Sequence, residues 1–206
     1  MPPPQHPIEA ESFRIILSEL GPHSFDALHL PIVLRVIHAT ADFDFKETLR
    51  FAPGAVTAGL NALRTGAPVI TDVRMVEAGI SRNFVQQLGG RVFAIIDADP
   101  ETAHLAKAHG TTRATMGMRL AKEQLDGAVV AIGNAPTALL ELIRLVREEG
   151  VRPGLIVGAP VGFVSAVESK NELATLDAPF ITPLGRKGGT PVAVAIVNAL
   201  LRLALS

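Results

Sequence analysis

The 206-residue chain has no cysteine, no tryptophan and no tyrosine. Without thiols there is no disulfide, no thiolate metal site and no cysteine nucleophile. Aromatic residues make up only 4%, which poorly supplies stacking platforms for single-stranded nucleic acid. An excess of charge is missing as well: 19 Lys+Arg face 20 Asp+Glu, for a net charge of −1. Neither nucleic acid nor an anionic membrane therefore has an electrostatic claim as partner. Hydrophobic residues reach 48% and mean hydropathy is +0.34, yet no apolar run attains the ~18 residues of a membrane span. The start, MPPPQHPIEAESF, has neither a basic n-region nor an apolar h-region. It predicts no signal peptide and a cytoplasmic protein. Familiar motifs are missing too. No Gly-x-Gly-x-x-Gly follows the first strand, Gly185–Thr190 is not a Walker A, and there is no Gly-x-Ser-x-Gly elbow.

What is present is a regular alternation of short apolar runs and amphipathic segments. The first 65 residues read as helical. Ile8, Phe13, Ile16, Leu17 and Leu20 mark one face before Gly21-Pro22, a second helix covers about 30–40, and a third runs from Gly54 to Arg64 with Gly66 at its C′ position. Strand-like runs then appear at Val69–Ile70, Val92–Ile96, Ala128–Ile132, Leu155–Val157 and Phe180–Ile181. Helical patterns separate them at 99–110, 112–125, 137–149, 163–173 and 191–203, the first with Asp99 as N-cap. The runs show no in–out alternation, the mark of strands buried on both faces of a parallel sheet. The expectation is a single α/β domain over 1–206. It is a three-layer α/β/α, Rossmann-like architecture with an open, mainly parallel five-stranded sheet and N-terminal helices. The Pro-rich first five residues read as a frayed end.

Open parallel sheets bind ligands beyond the carboxyl ends of their strands. The fifth run leads into Gly185-Arg186-Lys187-Gly188-Gly189-Thr190, a basic pair in a glycine-rich turn before a helix. Backbone N–H groups, a helix N-terminus and an arginine fork suit an anion there. Asn134 and the amides of 135–137, after the third run, form a second candidate station. The alternative for both is an ordinary strand–helix turn. Metal-ligand spacing is not found. His104 and His109 stand five apart, and His6, His23 and His29 sit near turns or helix starts and read as solvated.

His38, within VLRVIHATADFDF (33–45), stands at the end of an apolar helix near Thr40 and Asp42. A helix C-terminus and a nearby carboxylate both favour the imidazolium. Two readings stay open on the residues alone: a buried histidine capping the helix, or a general acid.

Six segments together resemble the precorrin-8X methylmutase (precorrin isomerase) family. They are HPIEAESF (6–13), RVIHATADFDF (35–45), TDVRMVEAGI (71–80), AIGNAPTALLEL (131–142), GLIVGAPVGFVSAVESK (154–170) and ITPLGRKGGTPVAVAIVNAL (181–200). They run in the family's order and span nearly the whole chain, though many members have glycine where this chain has Ala41. The resemblance implies an isomerase that moves a methyl group from C11 to C12 of a corrinoid precursor, with or without cobalt in the ring. It implies no organic cofactor, and a homodimer with the site near the subunit boundary. The catalytic histidine matches His38, and Ser12 and Arg35 match substrate contacts. A large apolar disc fringed with carboxylates needs an apolar slot and separated cationic stations. The candidates for those stations are Arg186, Lys187, Gly188 and Gly189, then Asn134, Arg113, and Ser81 with Arg82. Thr40 and Asp42 are candidates to orient His38. A non-catalytic tetrapyrrole-binding carrier is the alternative function. An unrelated anion-binding α/β enzyme is disfavoured by the missing phosphate motifs.

Overall fold

The computed structural model describes residues 7–97 and 99–206, and of Asp97 the backbone alone. The Pro-rich start with His6, and Ala98, lie outside the described residues. The chain opens with α1 (Pro7–Leu20), α2 (Leu30–Thr40) and the single turn α3 (Phe45–Thr48), followed by β1 (Leu49–Phe51) and α4 (Ala55–Arg64). Next come β2 (Val69–Thr71), α5 (Arg74–Gly79), α6 (Arg82–Gln87), β3 (Val92–Ala94), α7 (Thr102–Ala108) and α8 (Arg113–Leu120). The remainder is β4 (Val129–Ile132), α9 (Pro136–Glu149), β5 (Leu155–Gly158), α10 (Ala166–Leu173), β6 (Phe180–Pro183) and α11 (Thr190–Leu205).

The sheet has six strands, not five, in the order β1-β6-β5-β4-β2-β3. β2 to β6 are parallel, and the five expected runs supply them. The added strand, β1, pairs antiparallel with β6, Arg50 opposite Thr182. β4, β5 and β6 are buried along their whole length, which is why their sequences lack a two-residue period. α4 and α11 cover one face, and α8, α9 and α10 the other. α11 is buried nearly all round, from Val192 to Ala204, because α2 packs on its outer side and α1 packs on α2.

Three helices depart from the expected bounds. The 112–125 pattern is an α-helix only to Leu120 and then tightens to a 3₁₀ turn at Lys122–Gln124. The 163–173 pattern begins at Ala166, after Ser165 takes a left-handed conformation (φ 59°). Asp99 does accept at a helix entrance, from the Glu101 N–H at 2.7 Å, but regular helix starts at Thr102. On α1, Ile16 and Leu20 are buried while Ile8 (76%) and Leu17 (45%) stay exposed, since α1 packs chiefly on α2. Among the described residues no helix is long and apolar enough to cross a membrane.

Candidate functional site

α2 ends where its backbone turns left-handed. Ala41 has φ 53° and its N–H closes the helix on the Ile37 carbonyl at 2.7 Å. This is the position at which helices favour glycine, because a Cβ there crowds the backbone. The turn sets His38 in the last helical turn, solvent-exposed rather than buried. The capping reading of a core histidine therefore does not apply.

Ser12 Oγ, on α1, lies 2.8 Å from His38 Nδ1, and the Phe13 ring stacks obliquely with the imidazole at 5.1 Å. His38 Nε2 has no partner among the described residues. The ring is thus held by one nitrogen and free at the other. Thr40 and Asp42 do not do the holding. The Thr40 hydroxyl donates to the Val36 carbonyl at 2.8 Å, the ordinary retreat of a helical threonine. Asp42 Oδ1 receives the Asp44 N–H at 3.0 Å, and Asp42 Oδ2 lies 2.6 Å from Lys187 Nζ.

Arg35 is three residues before His38 and so shares its side of α2. Its guanidinium is ion-paired with Glu9, which also faces Arg202 at 3.7 Å, and it lies over the Phe13 ring at 4.9 Å. Beside it opens an apolar cavity of about 330 Å³ lined by Phe13, Ala27, Leu30, Pro31, Leu34 and Arg35. A larger cavity of about 810 Å³ sits by β1, between Arg50–Pro53 and Ala174–Phe180, and includes none of the histidine's neighbours.

The glycine-rich turn 185–189 meets the β5–α10 loop edge to edge. Gly189 N–H donates to Ala159 O at 2.7 Å and Gly162 N–H to Arg186 O at 3.3 Å. The Gly189 amide is therefore spent inside the protein and the residue is buried, which corrects its expected place at an anion. Lys187 is likewise engaged, 2.6 Å from both Asp42 and Asp44. The Lys187 hydrogen bond holds the Asp42 carboxyl below the usual carboxylate range, and the two aspartates hold the lysine above its own. Arg186 has no carboxylate partner among the described residues. It lies over Phe163 at 5.2 Å, and Phe163 and Val164 are exposed to 84% and 82%.

The second expected station is filled from within. Asp72, wholly buried at the end of β2, accepts from the N–H groups of Gly133 (3.0 Å), Asn134 (2.7 Å) and Ala135 (2.7 Å). Burial pushes the Asp72 carboxyl up, against the pull of those donors. β2 and β4 flank the point where the strand order reverses, the usual crevice of such sheets. Here a side chain of the protein takes the anion's place at the Gly133, Asn134 and Ala135 amides, Pro136 has no N–H to offer, and the Asn134 side chain stays exposed.

The other candidates lie apart from His38 in the contacts they make. Ser81 caps α6 by accepting from the Phe84 N–H at 3.4 Å, and its own N–H donates to Asn198. Arg82 is paired with Glu77 at 2.7 Å. Arg113, exposed at the start of α8, reaches only the Ile96 carbonyl at 3.5 Å and keeps its charge unpaired among the described residues. His29, expected to be solvated, is half-buried, with Nδ1 2.6 Å from Asp26 Oδ1 and its ring edge-on to Phe51. Sequence reasoning did not single out Asp72 or Glu9. Their partners are 61–63 and 26 residues away, and no local pattern marks them.

Comparison with known proteins agrees along nearly the whole chain. The family profile described as CbiC, precorrin-8X methylmutase, matches residues 7–203. A cobalt-precorrin-8 methylmutase from Priestia megaterium is 51% identical over 197 residues, covering 96% of this chain and 87% of its own. A precorrin-8X methylmutase from Pseudomonas aeruginosa is 40% identical, covering 94% and 93%. The crystal structure of precorrin-8X methyl mutase from Thermus thermophilus superposes with a TM-score of 0.89 at 44% identity, over 97% of this chain and 98% of that one. With the histidine segment, the glycine-rich turn and the sheet order all inside the matched region, the chain belongs to the precorrin-8X methylmutase family.

Proposed function

We propose that the chain isomerises precorrin-8X or cobalt-precorrin-8 by moving a methyl group from C11 to C12, and that His38 is the general acid. The observation that carries the assignment is the histidine's asymmetry: Nδ1 is held by Ser12 and Nε2 is open. An acid fixed by one nitrogen presents the other to substrate in one orientation. The proton goes from Nε2 to the ring nitrogen nearest the migrating methyl, or is shared with it. This withdraws electron density from the macrocycle and eases a suprafacial 1,5-shift. Return of the proton to Nε2 restores conjugation, giving hydrogenobyrinate or its cobalt counterpart with no net change in atoms.

The cavity between Phe13 and Leu34 supplies apolar surface beside the acid. Arg186 and the Gly188 N–H receive one peripheral carboxylate, and Arg113 is the candidate cation for another, because both arginines are exposed without carboxylate partners among the described residues. Arg35 stays with Glu9 and shapes the slot. The same reading includes a homodimer with the site at its boundary, supported by the exposed apolar side chains Ile8, Phe163 and Val164. Its check is a sedimentation mass twice the chain's 21.7 kDa.

The deciding experiment mixes the protein with precorrin-8X, and separately with the cobalt form, and follows the visible spectrum. Appearance of the product chromophore is the expected result. Tight binding with an unchanged chromophore would replace the isomerase by a carrier.

A further inference from the structure

Lys170, on α10, is the largest fully buried side chain among the described residues, at 0% exposure. It has no acidic partner there. Its Nζ donates to one backbone acceptor, the carbonyl of Lys187, at 2.8 Å. Burial alone pushes its pKa down to about 8. A fold seldom keeps an ammonium in its interior for a single neutral hydrogen bond, so the direction in which that bond pulls the backbone matters.

No cis peptide occurs among the described residues, so the Lys187–Gly188 peptide is trans. In a trans peptide the carbonyl and the next N–H point in opposite directions. With the Lys187 oxygen drawn inward to Nζ, the Gly188 N–H faces away from the interior. It finds no acceptor among the described residues, whereas the next amide, Gly189, is spent on Ala159. The peptide is also braced from the side. A Cβ on Gly188 would lie 2.5 Å from the Ala159 oxygen and 2.8 Å from that of Pro160. Only glycine allows this approach, and the bond that fixes the Lys187 carbonyl itself is the one from Lys170.

We infer that Lys170 is a positioning residue that sets the orientation of the Lys187–Gly188 peptide and so makes the Gly188 N–H a carboxylate donor beside Arg186. Freed of Lys170, the peptide can rotate and turn its oxygen toward the ligand, replacing a donor with a repelling acceptor. This inference rests on the reading that the 185–189 turn receives a substrate carboxylate, and the test separates the two.

The test titrates ¹⁵N-labelled protein with hydrogenobyrinate and follows the Gly188 amide resonance, alongside steady-state kinetics on precorrin-8X. In the unmodified protein the Gly188 resonance moves on binding. In Lys170→Met it no longer responds, KM rises roughly tenfold, as loss of a charge-assisted hydrogen bond implies, and kcat changes little. Lys170→Arg, which keeps a cationic donor, recovers part of the loss. If Lys170→Met does not fold, Lys170→Leu, which likewise has no donor, gives the same readout. An unchanged KM and an intact Gly188 response in a folded Lys170→Met protein would overturn the positioning role. Silence of Gly188 in the unmodified protein while product binds would overturn the carboxylate station itself.

Discussion

Lys187 Nζ lies 2.6 Å from Asp42 Oδ2 and 2.6 Å from Asp44 Oδ2. The two aspartates follow His38 by four and six residues, so one ammonium fastens the histidine's segment to the turn after β6. All three side chains are partly or well exposed, and solvent screening keeps such a pair weak as a stabiliser of the fold. Its value lies in fixing a distance. Lys187→Met should lower kcat several-fold with a smaller change in thermal midpoint. Asp42→Asn with Asp44→Asn should reproduce that loss, and adding Lys187→Met to the pair should cost nothing more. Independent, additive losses would show that the tie does not act as a unit.

The same tie has a pH signature. Asp42 is held below the usual carboxylate range chiefly by the Lys187 hydrogen bond. A carboxyl lowered in the folded state contributes stability above its unfolded pKa and loses that contribution as pH falls through the lowered value. The tie should therefore be complete at neutral pH and down to about pH 4, and release below it. Side-chain NMR of Asp42 through an acid titration checks this, and a midpoint at or above that of an unpaired aspartate would contradict it.

His38→Ala should abolish turnover by ~100-fold or more, the usual range for a general acid, while corrinoid binding survives. Ser12→Ala should leave the acid in place but loosen it, with kcat reduced by a smaller factor. Single-turnover spectra of both variants with precorrin-8X decide the matter. A His38→Ala protein that isomerises at the normal rate removes the acid role.

Asp72→Ala would leave three N–H groups, the buried one of Gly133 and the part-buried ones of Asn134 and Ala135, without their acceptor. About 3 kcal/mol of stability should be lost, read as a lower urea midpoint at unchanged slope. A loss under 1 kcal/mol would mean that water replaces the carboxylate freely.

Ala41→Gly should raise stability by about 1 kcal/mol, because the left-handed turn at φ 53° crowds a Cβ and not a hydrogen. Activity should hold, since the backbone already has the geometry that glycine prefers. Thermal unfolding measures the gain, and a drop in midpoint would place Ala41's methyl among useful contacts.

The parallel strands were legible in the sequence because burial on both faces makes each a short, unbroken apolar run, as in Val129–Ile132. β1 was not: Leu49-Arg50-Phe51 is too short to show any period, and it follows a helical stretch without a glycine between them. The histidine segment and the basic turn stand out in the sequence because both are local. What satisfies them does not. The acceptor that fills the Asn134 amides stands 61–63 residues earlier. Lys170 lies in AVESKNEL, where the charged neighbours give it the look of a solvated residue. Only the tertiary fold shows that its helix turns that lysine inward.

Both ends of the sheet are strands of three residues, β1 and β3. A second copy adding to either end would find room for only a few ladder hydrogen bonds, too short a template for a sheet continuing across molecules. β1 also runs against its neighbour, so growth beyond it would not extend the parallel order. Any association of two copies would thereby be directed to helix and loop surfaces, and the short edges guard the sheet against edge-to-edge stacking into fibres.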